Sequence, residues 1–160
     1  MSGRVGPGGL ASIVGAAVAA ALLVFTPSFE GTKLKTYRDL AGVLTYCTGA
    51  TENAMWGKTY TPVECQAQLE RDLERHAAGV ARCVPMSRLN AGQRVAFVDA
   101  AYNIGVPAFC GSTMARRINA GDVTGACDAL LMWNKVGGRE VRGLTLRRQK
   151  ERDLCLKGLP

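Results

Sequence analysis

A single histidine, His76, stands among 160 residues, and none of the six cysteines forms a Cys-x-x-Cys pair. Any Ser–His or Cys–His dyad would need that one ring. It lies on a charged stretch, Arg71-Asp72-Leu73-Glu74-Arg75, and reads as solvated surface. Neighbouring cysteines are no closer than seventeen positions (Cys110 to Cys127), which excludes a zinc ribbon or a thioredoxin motif and implies no metal site and no cofactor. Aromatic residues make up only 6%, and no Gly-rich phosphate loop is present, so a nucleic-acid partner is not expected. Acidic residues are also few: 13 against 20 Lys and Arg, a net charge of +7 that suits an anionic partner such as cell wall. A largely disordered chain is excluded by 48% apolar residues, and the length suits one domain with a sizeable core.

No strongly apolar run is long enough for an ordinary membrane span. The apolar stretch within the uncharged N-terminal segment, Leu10 to Phe25, is sixteen residues, half of them Ala, Gly or Ser. As a helix it would cover about 24 Å, short of the roughly 30 Å hydrocarbon core. Four readings fit it: a signal peptide cut near Ala19-Ala20-Ala21, a permanent anchor, an uncleaved export signal held only marginally in the bilayer, or a buried core helix. Arg4 is the one charge in the first twenty-nine residues, and Lys33, Lys35 and Arg38 on the other side leave orientation undecided by charge. The cysteines decide it. All six follow the apolar run, so that part of the chain belongs outside the cytoplasm, with thiols paired as disulfides.

Beyond residue 30 the patterning is mostly helical. Thr26-Pro27 reads as a helix start with Pro at the first helical position, and Tyr37 to Thr48 as a short hairpin broken by Gly42. Thr61-Pro62-x-Glu64 opens an amphipathic run to about Arg82 with Leu69, Leu73 and Val80 inward, and Asn90-x-x-Gln93 is a capping box for a strongly apolar helix. Three shorter helices are expected over 112–119, 123–133 and 144–155, punctuated by Gly121-Asp122 and Gly137-Gly138. Trp56 and Trp133 read as core or cleft-edge residues. Six cysteines allow fifteen pairings; joining neighbouring elements gives Cys47–Cys65, Cys83–Cys110 and Cys127–Cys155.

Glu30 ends a helix, Asp39 lies at the hairpin turn, and Thr45 follows six residues on. A hairpin folding back toward the helix end would bring both carboxyls to one cleft, the arrangement that acetal hydrolysis needs. Taken alone, a Glu and an Asp nine apart beside a turn are a weak signal and usually just solvated surface. The pattern Phe-Glu-Gly-x₅-Tyr-x-Asp-x₅-Thr, however, resembles the start of the phage-type lysozymes, glycoside hydrolase family 24. The likeness continues through Gly57-Lys58-Thr59-Tyr60-Thr61, Ala101-Tyr102-Asn103-Ile104-Gly105, Phe109, Ser112-Thr113, Ile118-Asn119-Ala120-Gly121-Asp122, Ala126-Cys127-Asp128-x₄-Trp133 and Gly143-Leu144-x₂-Arg147-Arg148-x₂-Glu151, over roughly residues 25–160. An apolar export segment directly before the Glu resembles the signal-arrest-release subgroup.

The resemblance implies an α+β fold, mainly α, with a small β-hairpin subdomain and a helical lobe. It implies two parts: 1–29 as the signal-arrest-release segment and 30–160 as the muramidase domain, a monomer acting on peptidoglycan. The expected site is Glu30 as general acid, with Asp39 and Thr45 holding the attacking water. One of Arg147 or Arg148 would bond Glu30, and Tyr102 and Asn103 would line the cleft. Inner-membrane tethering through residues 10–25, periplasmic side, would keep Glu30 from Asp39 and Thr45 until the segment leaves the bilayer and packs on the domain. Residues 1–29 hold no cysteine, so thiol exchange within that segment is excluded. Family members often carry a Gly-His after the hairpin where this chain reads Gly49-Ala50, which leaves the cleft wall open. A silent wall-binding module and a transglycosylase are the competing functions.

Overall fold

The structure is a computed structural model and describes residues 9–160; Arg4 lies outside the described residues. The apolar segment is not one helix but two, α1 (Gly9–Val14) and α2 (Ala16–Glu30), broken at Gly15. Gly15 takes φ 93°, ψ 153°, a conformation that only glycine adopts without strain. Both helices lie on the body of the protein. Leu10, Val14, Val18 and Leu22 are buried in one cluster with Leu69, Leu73 and Ala77 of α3 (Pro62–Cys83) and Val95 and Val98 of α4 (Ala91–Ile104). Of the four readings of this segment, the structure describes the packed core helix. Among the described residues no helix is long and apolar enough to cross a membrane.

The helix start expected at Thr26-Pro27 is not found. Pro27 lies inside α2, near its end. An interior Pro forfeits one main-chain hydrogen bond and costs about 3 kcal/mol. The helix continues because the same buried face runs on through Thr26, which is fully enclosed, while Gly31 N–H still closes on the Pro27 oxygen at 2.8 Å.

After α2 comes a hairpin of β1 (Lys33–Arg38) and β2 (Leu44–Cys47), antiparallel, with Tyr37 opposite Thr45 and Arg38 opposite Leu44. It starts four residues earlier than the sequence suggests. Lys35 bridges to Thr59, and Tyr46 stacks on Tyr60 at 4.4 Å, so the loop that follows folds onto the hairpin. Both long helices begin where the capping boxes predict. Thr61 and Glu64 cap α3, and Asn90 and Gln93 cap α4. The lobe is completed by α5 (Val106–Cys110), α6 (Thr113–Asn119), α7 (Val123–Ala129) with a 3₁₀ turn over Leu130–Met132, a hairpin of β3 (Lys135–Val136) and β4 (Arg139–Glu140), and α8 (Arg142–Lys157).

Neither α5 nor the second hairpin is anticipated: a Pro-containing pentapeptide and two-residue strands are too short to show a period. Trp56 is neither core nor half-buried. It is 67% exposed, with Arg38 against its ring at 5.4 Å, whereas Trp133 packs on the core. The second core joins α4 to the C-terminal lobe through Phe97, Phe109, Met114, Ile118 and Leu130. Helices α4 and α8 approach closely at Gly92, where an added Cβ would come within 2.2 Å of the Leu154 oxygen. The cysteines pair as Cys47–Cys65, Cys83–Cys110 and Cys127–Cys155, tying β2 to α3, α3 to α5, and α7 to α8.

Candidate active site

The last turn of α2 presents Thr26, Phe29 and Glu30 on one face, the i, i+3, i+4 spacing of neighbours on a helix. All three meet the guanidinium of Arg147 from α8 or its carboxylate partner. Arg147 donates to Glu30 Oε1 at 2.5 Å, and its Nε and Nη2 make a two-pronged contact with Asp99 of α4, each at 3.0 Å. Thr26 donates its hydroxyl to Asp99 Oδ1 at 2.7 Å, and the Phe29 ring lies 4.8 Å from the Arg147 guanidinium carbon. Arg147 is 4% exposed and Asp99 fully enclosed, while the Glu30 side chain keeps 25% of its surface open to the cleft.

Behind this pair lies a second one. Arg148 bonds both oxygens of Glu151, at 3.0 and 2.8 Å, and also reaches the Asn103 amide oxygen and the Trp133 carbonyl. Arg147, not Arg148, therefore contacts Glu30. Three carboxyls (Glu30, Asp99, Glu151) share two guanidiniums. Complete burial, and then the adjoining Asp99 carboxylate that shares a hydrogen bond with it, push the Glu151 carboxyl well above the usual glutamate range. A proton held there brings the cluster to neutrality. For Arg147 desolvation opposes the charge, yet the bonds to Asp99 and Glu30 prevail and hold it above the ordinary arginine value.

Asp39 and Thr45 sit together on the hairpin. Asp39 Oδ1 accepts from the main-chain N–H of Ala41 and Val43, both at 2.9 Å, and the Val43 oxygen accepts from Asp39 N at 2.9 Å and from the Thr45 hydroxyl at 3.0 Å. Asp39 is exposed and Thr45 buried. Neither borders the cavity beside Glu30. That cavity, about 310 Å³, is walled by Thr48, Gly49, Ala50, Thr51 and Glu52 after the hairpin, by Asp72, Arg75 and His76 of α3, and by Tyr102 and Asn103 of α4.

Tyr102 and Asn103 line this cavity; the Tyr102 hydroxyl donates to the Thr48 oxygen at 2.6 Å, and burial raises its ionisation well above the phenol value. His76 departs from the surface reading. It is half-buried, rests on Tyr102 at 5.1 Å and faces the cavity, because the charged residues beside it hide that its helical face is shared with Asp72. Asp99 is absent from the sequence reading, and Glu151 and Thr26 appear in it without a role at this site. A lone acid inside Val95-Ala96-Phe97-Val98-Asp99-Ala100-Ala101 is a visible signal for the first; nothing local marks the other two. Among the described residues there is no group of three His, Cys, Asp or Glu able to hold a metal.

A family profile described as phage lysozyme matches residues 27–151, spanning every element from the end of α2 into α8. The chain belongs to the phage lysozyme family. Accordingly it is a lysozyme, an enzyme that hydrolyses peptidoglycan. It is 42% identical to the SAR-endolysin of Enterobacteria phage P21 over 157 residues, covering 92% of this chain and 93% of the relative. The solved structure of a P22 lysozyme variant matches with a TM-score of 0.77 and 32% identity over 86% of this lysozyme and 97% of that chain. The active form of the P1 phage endolysin Lyz shares the fold, with a TM-score of 0.78 at 22% identity over 95% of this chain and 93% of that one.

A raised carboxyl pKa means the folded lysozyme binds more protons than the unfolded chain once pH exceeds the ordinary glutamate value of 4.5. Stability contributed by Glu151 is then complete below that pH and is lost as pH rises toward the folded value. The melting temperature should therefore fall on raising pH above 4.5, and Glu151→Gln, which keeps a donor for Asp99, should flatten that slope in calorimetric scans.

Proposed function

We propose that this lysozyme is an endolysin muramidase that cleaves the β-1,4 bond between N-acetylmuramic acid and N-acetylglucosamine, and that it stays inactive while tethered to the host inner membrane. Glu30 acts as general acid on the leaving oxygen, and Asp39 with Thr45 holds the water that attacks the opposite face of the sugar. Arg147 fixes Glu30 at the cleft edge, and Tyr102 and Asn103 contact the glycan. The observation that carries this reading is the Glu30–Arg147 contact at the mouth of the cavity, with the hairpin bearing Asp39 and Thr45 directly following Glu30 in the chain.

Before release, residues 10–25 lie in the bilayer with the 30–160 domain on the periplasmic side; after release the enzyme is periplasmic and monomeric. Three features favour this. Residues 9–29, were they one straight helix, would reach about 32 Å, close to the hydrocarbon thickness. The half-small composition of the run lowers the cost of leaving lipid. The disulfides all lie beyond the segment, as an oxidising compartment allows.

Two measurements test the two halves. Glu30→Gln should clear outer-membrane-permeabilised cells about 10²–10⁴-fold more slowly than wild type; equal clearing removes Glu30 from the mechanism. Gly15→Ala leaves a straight membrane helix unharmed but strains the docked break by about 1–3 kcal/mol. The membrane-pelleted fraction should rise about tenfold or more and lysis should be delayed; unchanged partitioning contradicts the tether.

A further inference from the structure

Three residues lining the cavity beside Glu30, namely His76, Glu52 and Asp72, have no part in the proposed reaction. His76 Nδ1 lies 2.6 Å from the main-chain oxygen of Asp72. A carbonyl oxygen can only accept, so Nδ1 donates, and in the tautomer protonated at Nδ1 the other nitrogen, Nε2, is an acceptor. Nε2 has no partner among the described residues, and no buried side-chain nitrogen or oxygen lacks one. Nε2 is therefore open to solvent, on a half-buried ring that borders the cavity. The ring cannot easily turn away: Tyr102 packs on it, anchored in turn by its bond to Thr48.

Asn103 supplies the opposite polarity. Arg148 only donates, so Asn103 gives it the amide oxygen and is left with two amide N–H groups, which have no partner among the described residues. The same cavity is lined by Glu52 and Asp72, each with one oxygen on Arg75, at 3.0 and 2.8 Å. The wall is thus rich in acceptors, with one amide donor. Its single guanidinium is already shared by two carboxylates.

An uncharged 2-acetamido sugar carries the complementary set, with hydroxyls and an amide N–H to give and an acetyl oxygen to receive. A carboxylate-bearing stem peptide would meet two carboxylates against one guanidinium that both already engage. We propose that His76 and Asn103 form a saccharide subsite for the peptide-free unit of the glycan, N-acetylglucosamine, and that the Glu52–Asp72 wall turns the peptide-bearing muramic acid away from it. His76 is then a specificity residue, and it sets the direction in which the strand crosses the cleft. This rests on the muramidase reading above.

The test is binding of chitotetraose, a peptide-free N-acetylglucosamine oligomer, measured by calorimetry on the full chain. His76→Phe keeps the ring against Tyr102 and removes the acceptor. Affinity should drop about fivefold to tenfold, with KM for glycan strands rising equally and kcat unchanged. His76→Gln, which restores an acceptor, should recover part of the loss. Glu52→Gln, at the exposed rim, should leave chitotetraose affinity alone and raise binding of a free muramyl tetrapeptide. Unchanged affinity in His76→Phe overturns the subsite. A fully de-N-acetylated tetramer that binds as tightly as the acetylated one overturns the acetamido selection, and no gain for the muramyl peptide overturns the exclusion. These are binding readouts, so they stand apart from Glu30→Gln, whose clearing rate tests the reaction itself.

Discussion

Arg147 stands 4% exposed between the carboxylates of Asp99 and Glu30, joining three helices that are far apart in sequence. A guanidinium removed from water is tolerable only when its donors are used, and here Asp99 takes two and Glu30 a third. Removing one partner from such a pair costs about 3–5 kcal/mol, because the remaining charge stays buried. The pairing therefore does more than hold the fold: it dictates where the end of α2 can rest. Thr26 and Phe29, one turn before Glu30 and one residue before it, contact the same two groups, so the helix is fixed in height and rotation.

This constraint connects the apolar N-terminal segment to the chemistry of the cleft. Residues Leu10 to Leu22 fill a core between α3 and α4, and the same helix ends on Glu30, the carboxyl to which the proposed reaction assigns the general acid. On the proposed tethered route, withdrawal of the segment would uncover that apolar core. It would also take the hydroxyl from Asp99 and the carboxylate from Arg147. Docking and completion of the site are then one event. The break at Gly15 allows the segment to follow the curved surface of the domain, and Arg94 of α4 donates to the Val14 oxygen at 3.1 Å, satisfying a carbonyl that the break leaves open.

Much of the frame was legible in the residues. Both capping boxes announce their helices because local chemistry sets those starts, and the Gly-flanked hairpin follows from turn residues alone. Glu30, Asp39 and Thr45 stand out through family spacing rather than through any physical signal of their own. Pro27 misleads, since its preference for a helix start is outweighed by burial of Thr26 and Leu22, which no local pattern reveals. The buried network is hidden for the same reason: Asp99, Arg147, Arg148 and Glu151 lie on two helices whose contact is a tertiary fact. His76 is concealed by its neighbours. Arg71 and Arg75 are exposed while Asp72 and His76 turn inward, and the charges hide the face that matters.

The central claim is that Thr26 and Asp99 act together, through Arg147, to place Glu30. A double-mutant cycle on kcat with Thr26→Val and Asp99→Asn measures it most directly, with each variant assayed well below its melting temperature. The account predicts that each change lowers kcat about tenfold or more and that the double variant loses much less than the product of the two, because both break one path. Effects that multiply independently, or a Thr26→Val enzyme with wild-type kcat, would contradict it.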